Sequence, residues 1–242
     1  MNVSEKYYEE NLYPLQNGVL SIVQKAETPF FLTGGTALSR YYIHHRYSDD
    51  LDFFVISDPE YAKHVSIILQ RLIEAEDSGI FHLDRNSLNK GKAYTQMFIT
   101  AAKQTKTELK IEFINDVAAH YGSIAYDPIL GRIDSLRNIL SNKLTALFRS
   151  EPKDVVDIHA IALQQNFNWR DIVTEAKSKE VGADPEIIYD MLHSFPLKYL
   201  ETIKWISQPD TDTFKHEIQS IAYDILHGSN NSLAPQSAKE LS

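Results

Sequence analysis

The feature that most constrains the fold of this 242-residue chain is a change of hydrophobic pattern near residue 130. Before that point, short apolar runs typical of strands alternate with stretches in which apolar residues recur at helical spacing. From Ser135 onward, strand signals nearly vanish and the amphipathic stretches are of the helical type. We therefore predict an α/β (α+β) head with a mixed sheet over residues 1–130, followed by an all-helical C-terminal domain over residues 131–242.

Several elements follow from the same patterns. In the first half we predict a helix over residues 4–26, broken near Pro14 and Gly18, and strands over Pro29–Thr33, Leu51–Ile56, Tyr94–Ala101 and Thr107–Ile114. In the second half we predict helices over Leu136–Ser150, Asp154–Gln165, Trp169–Glu180, Pro185–His193, Lys198–Ile206 and Thr213–His227. The polar tail after Gly228 is expected to be frayed.

The composition excludes several classes of protein. Cysteine is absent, which excludes disulfide frameworks, thiolate zinc sites and cysteine nucleophiles. The 24 basic residues against 33 acidic ones give a formal net charge of -9, so a uniformly basic nucleic-acid coat is excluded, although local basic patches are not. No apolar run approaches the ~18 residues of a membrane span, and the N-terminus lacks the layout of a signal peptide. We therefore expect a soluble cytoplasmic protein with no membrane partner.

Two aspartates open the second predicted strand. Side chains of a strand alternate between its faces, so Asp50 and Asp52 share one face while Leu51 and Phe53 point to the other. Residues two apart along a strand are separated by ~6.6–6.8 Å, which lets two carboxylates converge on a pair of metal ions. The alternative is a solvated polar strand face.

A glycine turn precedes these aspartates. Gly34, Gly35 and Thr36 lie between a buried strand and a predicted helix, which places backbone N–H groups at a helix N-terminus, a site suited to phosphate. Glycine allows the backbone to approach a phosphate closely and to adopt a positive φ. The spacing matches neither the Walker motif nor the dinucleotide-binding motif, and a simple turn is the alternative.

A third carboxylate, Glu112, lies on another predicted strand. Leu109, Ile111 and Phe113 face one way and Glu112 the other. A neighbouring position in the sheet would bring Glu112 beside Asp50 and Asp52, and three carboxylates can bind two magnesium ions. Simple surface exposure is the alternative.

The helical half contains one anomalous lysine and two aspartates. Lys143 lies on the apolar stripe of its helix, so it either snorkels outward or faces a cleft in which phosphate compensates its charge. Asp154 and Asp157 open the next helix, where they could simply be favourable charges near a helix N-terminus.

Together these segments resemble one family. FLTGGTAL at residues 31–38, HRYSDDLDFF at residues 45–54, and the lysine, arginine and aspartates within residues 143–157 look like the AbiEii/AbiGii-type nucleotidyltransferase toxins. These toxins are relatives of the MenT toxins in the polymerase-β-like nucleotidyltransferase superfamily. The resemblance spans roughly residues 28–165, and it implies a nucleotidyltransferase head. The Gly-Ser of the wider superfamily is Gly-Gly-Thr here.

The resemblance implies a role for each matching residue. The implied nucleotide-binding residues are Gly34, Gly35, Thr36, Ser48, Lys143 and Asp154. The implied catalytic residues are Asp50, Asp52, Lys143 and Asp157, with Asp154 as the other candidate for the helical aspartate. The implied metal ligands are Asp50 and Asp52, to which the strand alternation adds Glu112. The ion would be Mg²⁺ in a two-ion site, with Mn²⁺ as a substitute, and the substrate an NTP.

The resemblance also implies an acceptor and a partner. Such toxins belong to toxin–antitoxin or phage-defence systems, transfer the nucleotide to RNA, often to the 3′ end of tRNA, and have a cognate antitoxin. Basic residues suited to RNA phosphates are Arg85, Lys90, Lys92, Lys103, Lys106, Lys110, Arg132, Arg137, Lys143, Arg149 and Lys153. The alternatives are a small-molecule nucleotidyltransferase acting on an aminoglycoside-like acceptor, and a catalytically inactive NTP-binding regulator.

Overall fold

The computed structural model describes residues 3–102 and 104–241. Lys103 and the side chain of Lys106, both among the predicted basic residues, lie outside the described part. The chain forms two compact units. The first comprises Met1–Tyr41, Tyr47–Val117 and Ile124–Asp134, and the second comprises Tyr42–Arg46, Ala118–Ser123 and Ser135–Ser242.

The first unit begins with a long helical segment. Helix α1 (Val3–Tyr7) continues through a π-helical turn (Tyr8–Leu12) into α2 (Tyr13–Lys25). The predicted breaks near Pro14 and Gly18 are wrong. Pro14 lies in the first turn of α2, where proline is tolerated, and the helix continues through Gly18.

The first unit contains a seven-stranded mixed sheet, which confirms the predicted fold class. The strands are β1 (Phe31–Thr33), β2 (Leu51–Ile56), β3 (Phe81–Lys90), β4 (Tyr94–Ala101), β5 (Gln104–Asp116), β6 (Ala125–Asp127) and β7 (Gly131–Ile133). Their order in the sheet is β3-β4-β5-β2-β1-β7-β6, with β2 parallel to β5, β1 parallel to β7 and the other pairs antiparallel. The sequence did not predict β3, because most of this strand is exposed and only Phe81 and Leu83 supply buried apolar side chains.

Two helical segments connect these strands. A short helix, α3 (Gly34–Ala37), starts directly after β1 and continues as a π-helical turn (Leu38–Tyr42). Helix α4 (Tyr61–Asp77) follows β2. On one face of the sheet, Leu51 pairs with Ile111 and Phe53 with Phe113, and all four side chains are buried in the core. Asp52, between Leu51 and Phe53, and Glu112, between Ile111 and Phe113, therefore lie on the opposite face of the sheet.

The second unit is mainly helical, and it also contains a short two-stranded pairing near the C-terminus. Its helices are α5 (Leu136–Ala146), α6 (Pro152–Ala162), α7 (Trp169–Lys179), α8 (Pro185–His193) and α9 (Thr211–His227), with 3-10 turns at Leu147–Arg149 and Leu197–Thr202. The α-helix predicted over Lys198–Ile206 is wrong, since a 3-10 turn that follows Pro196 takes its place. Among the residues that the structure describes, none of the helices combines the length and the apolar character of a membrane span.

The described part of the C-terminal tail, up to Leu241, packs against the second unit, contrary to the expectation of fraying. Strand β9 (Lys239–Glu240) pairs in parallel with β8 (Gln165–Asn166). The Leu241 side chain is buried, and its N–H donates to the carbonyl of Asn166. The tail therefore packs as part of the second unit, because the apolar side chain of Leu241 is buried there although the segment around it is polar.

Candidate functional site

An acidic pair lies on the polar face of β2 and β5 in the first unit. The parallel register places Asp52 of β2 directly opposite Glu112 of β5. Asp50 precedes β2 by one residue. The parallel register thus places two of the three predicted carboxylates, Asp52 and Glu112, side by side.

Two further side chains, Tyr94 and Lys110, surround Glu112. The Tyr94 hydroxyl donates to Glu112, and Lys110 Nζ lies 2.9 Å from Glu112 Oε1. Burial alone would raise the pKa of Glu112, but the hydrogen bonds from Tyr94 and Lys110 outweigh it and lower that pKa. Burial alone would lower the pKa of Lys110, but Glu112, Asp50 and Asp52 raise it. Glu112 is therefore ionised at neutral pH, and Lys110 is the cation that balances the acidic group.

The sequence analysis assigned Lys110 to RNA binding and gave Tyr94 no role, so neither was predicted as a partner of Glu112. Lys110 had a signal, because a residue two positions before Glu112 on a strand shares its face. Tyr94 had none, since only the antiparallel pairing of β4 with β5 brings its hydroxyl to Glu112.

The glycine turn lies directly against the acidic pair. Gly34 has a φ of +67°, and a Cβ added there would lie 2.7 Å from Asp52 Oδ2. The Thr36 hydroxyl donates to the backbone carbonyl of Asp50 at 2.5 Å. The Thr33 hydroxyl precedes the helix but donates to the buried Asp134 at 2.5 Å. Glycine is therefore required at position 34 both by its conformation and by the close approach of a carboxylate.

The remaining predicted residues of the first unit lie on the same segments. Gly35 is the second residue of α3. Ser48 is buried two residues before Asp50, and its backbone carbonyl accepts a hydrogen bond from Gln16. Asp52 thus connects the predicted residues of this unit, since it lies against Gly34, pairs with Glu112 and follows Asp50 by two residues.

The donors suit a divalent ion in their chemistry. Carboxylate oxygens are the ligands that Mg²⁺ prefers, and the Lys110 ammonium shows that this group of acids attracts a cation. Over residues 3–102 and 104–241, however, no group of three or more His, Cys, Asp or Glu side chains is arranged to hold a metal ion. The acidic pair fits the ion by donor type, but the structure does not gather the three predicted ligands into one site.

A buried ion cluster lies in the second unit. Lys143 Nζ is 2.6 Å from Asp154 Oδ1 and 2.6 Å from Asp157 Oδ2. Arg46 binds Asp157 in bidentate fashion through Nε and Nη2, both at 2.7 Å. His45 Nε2 lies 2.8 Å from Asp157 Oδ1. Both aspartates are fully buried, and Lys143 is only 6% exposed. The structure thus joins Lys143, Asp154 and Asp157, as the motif grouped them, and adds two residues with no predicted role.

The charges of this cluster compensate one another. Burial alone would raise the pKa of Asp157, but Arg46, Lys143 and His45 hold it well below its usual range. Burial alone would lower the pKa of Lys143, but Asp157 and Asp154 raise it. Of the two interpretations of Lys143, outward snorkelling is excluded, because the ammonium is buried between two carboxylates.

Much of the predicted basic surface is also paired within the chain. Arg85 lies 2.6 Å from Glu76, Arg137 lies 2.6 Å from Glu175, and Arg149 lies 3.4 Å from Asp154. Lys110 and Lys143 bind the acids described above. These five residues, as they stand, do not present uncompensated charge to an RNA backbone.

A model of the AbiEii nucleotidyltransferase toxins of type IV toxin–antitoxin systems matches residues 20–226. The chain belongs to the AbiEii family. The match includes the glycine turn, the acidic pair and the buried ion cluster. This AbiEii protein is therefore a toxin-type nucleotidyltransferase, for which an NTP is the substrate and an antitoxin is the partner. A search of curated protein sequences finds no match.

Solved structures share the fold of this AbiEii protein. A Helicobacter pylori protein assigned as a nucleotidyltransferase has a TM-score of 0.60 and 22% identity, over 90% of this chain and 96% of the other. MenT4, a nucleotidyltransferase toxin from Mycobacterium tuberculosis H37Rv, has a TM-score of 0.60 and 14% identity, over 88% of this chain and 82% of the other. JHP933 from Helicobacter pylori has a TM-score of 0.54 and 23% identity, over 89% of this chain and 92% of the other. At these identities the likeness concerns the fold.

Proposed function

We propose that this AbiEii protein transfers a nucleotide from an NTP to an RNA acceptor, the 3′ end of a tRNA, in the presence of Mg²⁺. The observation that carries the proposal is the contact of Gly34 with Asp52, which itself lies opposite Glu112. It sets a helix start, suited to phosphate, against carboxylates suited to a divalent ion. The order of these motifs along the chain is that of a nucleotidyltransferase family.

The residues of the first unit have distinct roles in this reaction. The N–H groups at the start of α3, from Gly34 to Thr36, bind the triphosphate. The acceptor hydroxyl oxygen forms a bond to the α-phosphorus, and the bond from that phosphorus to pyrophosphate breaks. The hydroxyl proton passes to a carboxylate oxygen of the Asp52–Glu112 pair, since Glu112 is held ionised by Tyr94 and Lys110.

Mg²⁺ would be held by the Asp50 and Asp52 carboxylates and would supply positive charge to the phosphoryl oxygens. A role for Glu112 as a further ligand stays a prediction, because the described residues hold no group of three ligands arranged around one ion. The roles of Ser48, Lys143, Asp154 and Asp157 in nucleotide binding and catalysis stay predictions.

The first test is nucleotide transfer in vitro. Purified protein is incubated with total tRNA, Mg²⁺ and each labelled NTP in turn. We expect label in RNA with the wild type, and a loss of at least 100-fold with Asp50→Ala, Asp52→Asn or Glu112→Gln. The matched control is Glu108→Gln, an exposed acid on the same strand as Glu112, which should transfer like the wild type.

The other outcomes are equally decisive. Label that enters an aminoglycoside but not RNA would contradict the RNA acceptor and support the small-molecule alternative. Tight NTP binding with no transfer to any acceptor would contradict catalysis and support an NTP-binding regulator. Transfer by Asp50→Ala at the wild-type rate would contradict the assignment of the acidic site.

A further inference from the structure

The amide of Gln16, on helix α2, contacts the segment that leads to Asp50. Gln16 is 0% exposed. Its Nε2 donates to the backbone carbonyls of Ser48, at 3.2 Å, and Asp49, at 3.1 Å. These carbonyls belong to the two residues that immediately precede Asp50. A side chain from a helix 32 residues away in sequence therefore holds the backbone beside a predicted catalytic carboxylate.

The orientation of this amide is fixed from its other side. Arg40 Nη1 donates to Gln16 Oε1 at 3.0 Å, and Arg40 Nη2 donates to Asn17 Oδ1 at 2.7 Å. The same guanidinium lies 4.5 Å from the ring centroid of Tyr13. Because Arg40 only donates, the Gln16 oxygen must face it, and both Gln16 N–H groups then point to the Ser48–Asp49 segment.

Neighbouring contacts act on the same segment. The Tyr8 hydroxyl donates to Asp49 Oδ1 at 2.5 Å, and the Tyr8 ring stacks on Tyr47 with 4.1 Å between centroids. Thr36 of the glycine-turn helix donates to the carbonyl of Asp50. Three consecutive carbonyls, from residue 48 to residue 50, therefore accept hydrogen bonds from side chains of α2 and α3.

We propose that Gln16 is a positioning residue for nucleotide transfer. Gln16 fixes the peptide groups that precede Asp50, and through Arg40 it also contacts the helical segment that starts at Gly34. In this way it holds Asp50 in a fixed position relative to the phosphate-binding turn. The inference rests on the proposed function. A misplacement of about 1 Å at a reacting group can cost ~100-fold in rate, so a small backbone shift here suffices to impair catalysis.

The test uses Gln16→Met and Gln16→Glu. Gln16→Met removes the contacts on both sides of the amide. Gln16→Glu keeps the acceptor for Arg40 and removes the two donors to the carbonyls, so it carries the test if Gln16→Met does not fold. The matched control is Asn17→Ala, because Asn17 binds the same Arg40 on the adjacent position of α2. For each variant we measure thermal unfolding, kcat, and KM for the NTP.

We expect both folded Gln16 variants to lose at least tenfold in kcat, with KM for the NTP changed by less than threefold. Asn17→Ala should stay within threefold in both constants. A merely structural role would lower thermal stability without this split between kcat and KM. Wild-type kcat in a folded Gln16 variant would overturn the proposal, as would an equal loss in Asn17→Ala.

A second readout separates this inference from the proposed function. If the wild type transfers nothing, the proposed function fails, and Mn²⁺ binding measured by electron paramagnetic resonance decides the role of Gln16. Binding weakened at least fivefold in the Gln16 variants, but not in Asn17→Ala, supports positioning of the Asp50 segment. Equal Mn²⁺ binding in all the proteins, or none by the wild type, overturns it.

Discussion

Among single residues, Gly34 has little freedom to change. Its φ of +67° is strained for a residue with a side chain, and a carboxylate oxygen of Asp52 occupies the place where a Cβ would lie. A Cβ at position 34 would therefore force the Asp52 carboxyl group to rotate away from the turn. Glycine at position 34 thus allows both the backbone conformation of the turn and the close approach of the Asp52 carboxylate to the start of α3.

We expect Gly34→Ala to lower the free energy of unfolding by about 1–3 kcal/mol, since the substitution adds backbone strain and a steric contact. It should also abolish nucleotide transfer. The control is Gly18→Ala in the interior of α2, where an added Cβ meets nothing within 4 Å. Alanine there should stabilise the protein by ~0.5–1 kcal/mol. Chemical denaturation measures both changes, and a Gly34→Ala protein with wild-type stability and activity would contradict this account.

At the scale of elements, helices α5 and α6 are joined by buried charge. Lys143 of α5 lies between Asp154 and Asp157 of α6, and the Tyr42–Arg46 segment adds Arg46 to the same cluster. Taking charges out of water costs several kcal/mol per ion, which mutual attraction offsets only when every partner is present. The cluster therefore depends on each of its members.

We expect Lys143→Met to lower the free energy of unfolding by ~3–5 kcal/mol, because it leaves two buried carboxylates short of a cation. Arg149→Met is the matched control, since Arg149 binds the same Asp154 but its side chain is 67% exposed. That change should cost ~1 kcal/mol or less. Urea denaturation compares the two. Equal losses would show that burial does not set the energetics of this cluster.

The same measurement bears on function. A loss of nucleotide transfer in a Lys143 variant has two explanations, a missing phosphate contact and a collapsed ion cluster. Only a variant whose unfolding free energy is known separates them, and transfer assays on Lys143 therefore require the stability measurement beside them.

At the scale of the whole molecule, pH acts on stability in two opposing ways. The net charge of -9 shrinks as pH falls toward the isoelectric point of about 5.5, which relieves self-repulsion. His159 of α6 acts in the other direction. It is buried against Phe214 and lies 2.7 Å from Glu217 of α9, and burial lowers its pKa although Glu217 opposes that shift.

The sign of this effect follows from proton binding. Because the pKa of His159 is lowered in the folded state, the unfolded chain binds more protons below pH ~6.5, and folding loses stability as pH falls through that value. We expect the stability advantage of the wild type over His159→Gln to shrink between pH 7.5 and pH 5.5. His82→Gln, which changes an exposed histidine, should show no such trend. Thermal unfolding at both pH values checks this, and a constant difference for His159→Gln would contradict it.

The amino-acid sequence alone was enough to predict the fold class and the face on which Asp52 and Glu112 each lie. Helical and strand periodicities are local, since they arise from where successive side chains point along a helix or strand. For that reason the mixed sheet, the helical second half and strand Tyr94–Ala101 were predictable. So was the shared face of Asp52 and Glu112, because alternation fixes the face of each side chain within its own strand.

Which of these residues contact one another depends on the tertiary structure. The pairing of Asp52 with Glu112 requires β2 to lie beside β5, and the contact of Arg46 with Asp157 joins residues 111 apart in sequence. The environment of Lys143 could not be predicted, because its place on an apolar stripe does not reveal that Asp154 and Asp157 lie opposite its ammonium group. Gln16 carried no signal, since its role depends on carbonyls of a distant segment. These ion pairs and hydrogen bonds join segments that are distant in sequence, and local periodicity does not reveal which segments pack against each other.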